Sequence, residues 1–353
     1  MKLFKSLLVA PATLGLLAPM AASANEVTIN DFNAAEEIAV TNSRVDGLEA
    51  RFNNLEAGSF SETTTASFGV DFLVGAVDGA SSEATAFSYQ MGIGLETSFT
   101  GEDALSATID IGNGAGAAAS SDGLNFDSTS DVLTLDGLTY TFPLGGATVM
   151  VGDNTDISAV YTGACAYSAF TDYMGNCGTG NSVGVGGNGA TAAMSYAFDS
   201  GFSLAGGVSS TPTSILTEEG TDTFGVEAAY TADSYGVAVA YSDNESATFW
   251  GVNGMYAFDF ATLSAGVESE DPTSGSTKTG FFVGLSFPEV GEGSFDIGMG
   301  TSANYAESDT EYYTYEASYS YPINDGMTIT PGVYIKEGTT DQTGFAVKTS
   351  FSF

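Results

Sequence analysis

The sequence predicts an all-β protein: a transmembrane antiparallel β-barrel of about 16 strands, preceded by a short helical stalk. Three observations lead to this fold class. Apolar and polar residues alternate with a period of two from Thr63 to Phe353, which is typical of strands with two different faces. Glycine and aromatic residues are abundant, and only 14% of the residues are charged. The connections between the alternating segments are alternately short and long along the chain, as in outer-membrane barrels.

Residues 1–24 are expected to form a signal peptide. Lys2 and Lys5 precede an apolar run from Leu7 to Met20, and Ala22-Ser23-Ala24 offers the small residues of a cleavage site. The run is short and contains Pro11 and Pro19, which argues against a transmembrane helix. No later segment has about 18 uninterrupted apolar residues, so a helical membrane protein is excluded.

Residues 25–59 are predicted to be a periplasmic segment with a short amphipathic helix. Ile38, Val45, Leu48, Phe52 and Leu55 occupy the a and d positions of a heptad pattern. The pattern spans less than three heptads, so a helix packed on its own barrel is as reasonable as an independent coiled coil.

Residues 60–353 are assigned to the barrel. In the last segment Phe345, Val347 and Phe351 share one face, whereas Lys348 and Ser350 share the other. An even count of about 16 strands is the size that leaves an aqueous lumen. The predicted strands are 64–77, 85–99, 104–112, 131–142, 146–152, 190–198, 201–209, 223–231, 234–242, 246–257, 260–268, 279–287, 293–301, 310–321, 326–336 and 342–353.

The connections separate into two sets by position along the chain. Those of the first set are short, such as Asp199-Ser200 and Asn324-Asp325-Gly326. Those of the second set are mostly longer and richer in Ser, Thr and acidic residues, such as 113–130 and 269–278. Outer-membrane barrels show this sorting, with short periplasmic turns and long outer loops. Nothing in the architecture of a soluble β-sandwich would sort its connections by length in this way.

The longest connection, Asp153 to Gly189, is predicted to be the third outer loop and the best candidate for entering the lumen, since long loops are usually functional. Cys165 and Cys177 lie in it. An oxidising compartment favours a disulfide between them, with two reduced thiols as the alternative. Asp153, Asp156 and Asp172 lie in or beside the loop and are the candidate constriction residues, although loop acids are often simply solvated.

Charge and composition exclude several functions. The chain has 7 basic and 44 acidic residues, and such a polyanion would repel nucleic acid. It has no histidine, which removes imidazole-based catalytic triads and most zinc sites. No motif points to an enzyme, and no cofactor or metal is expected. The barrel region contains 37 acidic residues and three lysines, so a channel through it is expected to prefer cations.

Several strings carry a family resemblance. VDGLEARFNNLEAGSFSETT (45–64) resembles the stalk and first-strand entry of the cyanobacterial outer-membrane porins. YTFPLGGATVMVGDN (140–154) is similar to their approach to the third loop, and the segment 315–353 to their closing strands. The resemblance implies a channel for small solutes and inorganic ions, related to carbohydrate-selective and iron-uptake porins. It also implies that the protein is embedded in outer-membrane lipid and assembles as a homotrimer.

Two further expectations come with the resemblance. Members of this family commonly carry an S-layer-homology domain before the stalk, and only residues 25–44 occupy that place here, so a short form without the wall tether is expected. Phe353 matches the terminal aromatic residue recognised by the barrel-assembly machinery, and an ordinary lipid-facing Phe is the alternative. The expected function is passive diffusion. The alternatives are a substrate-specific channel for sugars or iron complexes and a secreted or surface structural β-protein.

Overall fold

A computed structural model describes residues 64–80, 84–114, 126, 129–183, 189–218 and 220–353 of the 353-residue chain. The predicted signal peptide and stalk helix lie outside these residues. The strands are β1 Thr64–Asp78, β2 Ala86–Thr97, β3 Ala104–Gly112, β4 Thr134–Leu144, β5 Ala147–Thr155, β6 Gly189–Ala197, β7 Phe202–Ser210, β8 Asp222–Thr231, β9 Tyr235–Asp243, β10 Ala247–Ala257, β11 Thr262–Pro272, β12 Lys278–Val290, β13 Gly293–Thr301, β14 Tyr305–Ala306, β15 Tyr313–Asn324, β16 Met327–Lys336 and β17 Gln342–Ser352.

The strands close into a single antiparallel barrel, which confirms the predicted fold class. Each long strand pairs with its neighbours in the chain, and β1 pairs with β17 from Gly69 opposite Ser352 to Asp78 opposite Thr343. The described residues therefore form a 16-strand wall, to which the two-residue β14 is added beside β12. Closure leaves no free sheet edge. A β structure that spans a membrane must be closed in this way, because unpaired backbone groups cannot be satisfied in the bilayer.

The predicted strands correspond closely to the observed ones. The largest difference is at β11, which continues to Pro272 instead of ending at residue 268. The sorting of the connections is also observed. One end of the barrel, called the short-turn end here, carries the connections 98–103, 145–146, 198–201, 232–234, 258–261, 291–292 and 325–326. The other end, the loop end, carries the longest connections, 113–133 and 156–188.

The two faces of the wall differ as the alternation predicts. In β9 the side chains of Val237, Val239 and Tyr241 are exposed, whereas Ala238 and Ala240 between them are buried. The exposed set lies on the outer surface and is apolar. The buried set points inward, where small and polar residues predominate. An apolar outer band around a polar interior is the surface of a barrel embedded in an outer membrane.

Aromatic side chains form a belt on the outer surface near the short-turn end. Neighbouring rings lie 4.7 to 6.5 Å apart between centroids in the pairs Tyr196–Phe198, Phe202–Tyr230, Tyr256–Phe258 and Phe260–Phe287. Such girdles lie at the level of the lipid headgroups. Within the described ranges, no helix is long and apolar enough for a helical membrane crossing.

Candidate functional site

The third outer connection folds into the barrel. Residues 156–183, called the inner loop here, follow β5 and contain 3-10 helices at Ile157–Val160 and Asp172–Gly178 and one helical turn at Gly180–Val183. The inner loop bonds inward-facing side chains of β7, β8, β9, β10, β11 and β15. It therefore lies along the inner wall as an outgoing leg, an apex near Phe170 and a return leg.

The outgoing leg is held by polar side chains of three strands. The backbone N–H groups of Thr162 and Gly163 donate to Glu227 Oε1 on β8, at 2.8 and 3.2 Å. The N–H of Ala164 donates to Asn253 Oδ1 on β10 at 3.1 Å. Loop backbone groups that would otherwise be buried without partners are thus satisfied by the wall.

The apex is held by one carboxylate. Glu316 on β15 accepts hydrogen bonds from the N–H groups of Phe170 and Thr171 at 2.8 and 2.9 Å, from the Thr171 hydroxyl at 2.5 Å, and from the Tyr167 hydroxyl at 2.9 Å. Glu316 is only 3% exposed. Burial and the neighbouring Glu316 charge raise the pKa of Tyr167, so this phenol remains a neutral donor.

The return leg uses a third carboxylate. Glu268 on β11 accepts hydrogen bonds from the Ser182 N–H at 2.6 Å and from the Asn181 side chain at 2.8 Å. Asn253 bonds both legs, since its amide group also donates to the Thr179 hydroxyl at 3.0 Å. Three wall carboxylates, Glu227, Glu268 and Glu316, therefore position the inner loop. Among the described residues none of them forms an ion pair.

Apolar contacts complete the attachment. Phe170 packs in a buried cluster with Leu73, Val77, Tyr334 and Ala346, which belong to β1, β16 and β17. The ring approaches the wall so closely that a Cβ atom at Gly332 would lie 2.4 Å from it. A larger residue at that position would displace the apex.

A disulfide joins the two legs. Cys165 of the outgoing leg and Cys177 of the return leg are bonded, with their Cα atoms 5.8 Å apart. Cys177 is fully buried and lies in a cluster with Met174, Tyr167 and Phe282. The cross-link encloses the apex and its bonds to Glu316.

The inner wall of β3 and β4 faces a cavity of about 500 Å³ that the inner loop does not fill. The start of the inner loop forms its other side. The cavity is lined by hydroxyl, amide and carboxylate side chains, together with small residues: Ser106, Thr108, Asp136, Gly137, Thr139, Asn154, Thr155, Asp156, Ser158 and Ala159. The structure thus leaves a polar, acidic space beside a covered wall.

The three predicted constriction residues have different positions. Asp156 lines the cavity and caps the first 3-10 helix, accepting a hydrogen bond from the Ser158 N–H at 2.7 Å. Asp172 is an exposed residue of the second 3-10 helix. Asp153 requires a correction, because β5 continues to Thr155 and Asp153 pairs with Leu138 on the outward face. Strand alternation therefore turns it away from the lumen.

Sequence reasoning missed Asp136 and the three wall carboxylates. Glu227, Glu268 and Glu316 are single acids on the polar face of a strand, a signal that was visible but indistinguishable from pore-lining acids. Asp136 lies in a β-bulge, since Thr108 pairs with Gly137 and Ile109 with Leu135. No pattern in the sequence marks the bulge.

Within the part of the chain that the structure describes, no three Asp, Glu or Cys side chains come together as metal ligands would. The inner-face aromatics Phe282 and Tyr334 are buried beneath the inner loop. They do not form an exposed aromatic track for sugars.

Comparisons with known proteins agree with this architecture. The fold is similar to that of OprB from Pseudomonas putida, with a TM-score of 0.65 and 12% identity over 82% of this chain and 94% of that chain. A loop L8 deletion mutant of the Vibrio cholerae outer-membrane protein OmpT matches with a TM-score of 0.60 and 10% identity, over 83% of this chain and 100% of that chain. A mutant of the Rh. blastica porin matches with a TM-score of 0.56 and 16% identity, over 82% of this chain and 100% of that chain. These likenesses show the fold of bacterial outer-membrane porins.

Sequence relatives add less. No family model matches the chain. An uncharacterised protein of Nostoc sp. is 34% identical over 160 residues, which are 40% of this chain and 27% of that protein. The match thus spans about a quarter of the relative's length.

Proposed function

We propose that this protein is an outer-membrane porin, a passive diffusion channel for small hydrophilic solutes and inorganic ions that prefers cations. The observation that carries the proposal is the inner loop, which lies along one side of a closed 16-strand barrel and leaves a polar space on the other. A wall of this strand number encloses a lumen wide enough for water. The loop narrows that lumen without filling the cavity beside β3 and β4.

The cation preference rests on charge. The barrel region carries 37 acidic residues against Lys278, Lys336 and Lys348. Lys278 is paired with Glu270 at 2.8 Å, and Lys336 donates to the Tyr173 hydroxyl at 2.8 Å. A water-filled passage with a negative lining raises the local concentration of cations and lowers that of anions, an effect that salt screens.

Single-channel current in a planar bilayer tests the proposal, with the reversal potential recorded under a salt gradient. The expected result is a stable ohmic conductance that reverses toward the cation potential. Weak conductance that a sugar or an iron complex blocks would favour a substrate-specific channel instead. Correctly folded protein without conductance would refute the channel. A homotrimeric assembly and recognition of Phe353 by the assembly machinery remain proposals of the same kind, tested by the native mass in detergent and by truncation.

A further inference from the structure

We infer that Asp136 and Asp156 form the charge filter of the pore, with monovalent inorganic cations as the class of ion selected. The inference rests on the proposed function and names the residues that would carry its selectivity. Asp156 belongs to the start of the inner loop and Asp136 to β4 of the wall. Both line the same cavity of about 500 Å³, so the two carboxylates flank one polar passage.

The path of the inner loop shows where ions can pass. Its outgoing leg covers inward residues of β7, β8, β10 and β11, and its apex reaches β15, β16 and β1. The wall residues Glu227, Glu268 and Glu316 are at most 3% exposed beneath it. Their charges are held by loop amides and do not face a passage. Among the described residues, the outgoing leg makes no such bonds to β2, β3 or β4, and the cavity beside β3 and β4 stays open. We therefore place the passage along these strands.

A backbone irregularity places Asp136 in this passage. Pairing shifts by one residue between Thr108 and Ile109 of β3, and Asp136 is the extra residue on β4. A bulge of this kind re-aims a side chain relative to the regular alternation. Asp136 is exposed and, among the described residues, has no hydrogen-bond or ion-pair partner, so its charge is available to a passing ion.

Asp156 has a fixed position. Its Oδ1 accepts hydrogen bonds from the N–H and the hydroxyl of Ser158 and caps the helix Ile157–Val160. Ile157 is completely buried against Met150 and Ala193 of the wall. The carboxylate therefore stays at the edge of the cavity and does not move with a free loop tip.

No positive charge of the described wall cancels this pair. Lys348 is on the inner face of β17, four strands from β4 around the barrel, or about 19 Å along the sheet at the usual strand spacing. That distance is roughly two Debye lengths at physiological salt. The other polar lining residues are uncharged: Ser106, Thr108, Thr139, Thr155 and Ser158 carry hydroxyl groups, and Asn154 carries an amide. These groups can replace water around a cation without adding charge.

The test compares reversal potentials of the wild type with those of Asp136→Asn, Asp156→Asn and the double variant in a potassium chloride gradient. Asn also caps helices well, so Asp156→Asn keeps the loop start. A unit charge about 8 Å from an ion in water contributes about 0.5 kcal/mol, or roughly a twofold change in occupancy. Each substitution is expected to lower the potassium-to-chloride permeability ratio at least about twofold, and less at 1 M salt.

Two control variants make the result specific. Glu218→Gln removes one exposed charge from the connection 211–221 and is expected to leave the ratio unchanged, and Asp136→Glu is expected to retain it. A cation-selective wild type whose double variant keeps the same ratio would overturn the charge filter and leave the proposed porin intact. A conducting but non-selective wild type would overturn the cation preference itself, and no conductance would overturn the porin.

Discussion

Replacement of Glu316 by Ala is expected to release the apex of the inner loop while the barrel stays closed. Glu316 accepts four hydrogen bonds from Tyr167, Phe170 and Thr171. Two of the donors are backbone N–H groups, which cannot turn to another partner without moving the loop. Removing the carboxylate is therefore expected to act on the position of the loop more than on the wall.

The magnitude follows from the donors left behind. A buried donor without an acceptor costs about 1–3 kcal/mol, so the two amides alone destabilise the bound apex by about 2–6 kcal/mol. A destabilisation of about 2 kcal/mol corresponds to a roughly thirtyfold increase in the equilibrium constant for local opening of the apex. The disulfide limits how far the opened apex can move.

Two measurements check this expectation. Single-channel records of the Glu316→Ala variant should show more frequent conductance fluctuations than the wild type. Chymotrypsin should cut at the apex near Tyr167, Phe170 and Tyr173, and the fragments should separate on a reducing gel, because Cys165 and Cys177 would otherwise hold them together. Heat-modifiable migration should remain, since β15 keeps its backbone pairing with β13 and β16.

Glu96→Ala is the matched control. Glu96 lies on the inner face of β2, opposite Ser106 of β3, and forms no hydrogen bond to the described part of the inner loop. The Glu96→Ala substitution removes one inward-facing charge and leaves the hydrogen bonds between the apex and Glu316 intact. If Glu316→Ala matches the wild type in fluctuations and in resistance to chymotrypsin, the carboxylate does not position the loop and the reasoning fails.

Three other predictions concern separate parts of the barrel. Under denaturing conditions without reductant, alkylation should leave the mass unchanged, because Cys165 and Cys177 are bonded; two adducts per chain would contradict the disulfide. Deleting Phe353 should reduce assembly far more than the conductance of the assembled fraction, because its backbone pairs with Phe68 at 2.9 and 3.1 Å and the two rings stack; Phe353→Tyr should assemble, and normal insertion of the deletion variant would contradict the idea. The last prediction concerns Asp103, in the connection before β3. Hydrogen bonds from Thr100, Tyr140 and Ser98 hold the pKa of its carboxyl well below the usual 3.8. Because its pKa is lower in the folded than in the unfolded state, the Asp103 carboxylate stabilises the fold above about pH 3.8. This contribution to stability is lost as the pH falls below that value. The stability difference between wild type and Asp103→Asn in detergent should therefore be full at neutral pH and shrink only below about pH 3.8, and an unchanged difference at lower pH would refute the assignment.

The sequence by itself determined the wall of this barrel. Which side chains of β9 or β17 face outward follows from local alternation, because the side chains of a strand point to opposite faces in turn. The order of short turns and long loops is equally local. The excess of acidic residues, on which the proposed cation preference rests, follows from composition alone. Each of these properties depends on neighbouring residues or on composition, and the fold was predicted correctly for that reason.

Only the tertiary structure decided which acids line the cavity beside β3 and β4 and which are buried beneath the inner loop. The bonds that position the inner loop join residues far apart in the chain, such as Thr162 with Glu227 and Phe170 with Glu316, 65 and 146 positions away. Such pairs leave no local pattern. Glu316 and Asp136 both appear in the sequence as single acids in a strand, yet closure of the barrel buries one beneath the loop and a one-residue bulge exposes the other. Asp153 shows the same limit, since β5 continues three residues beyond its predicted end and includes Asp153 on its outer face.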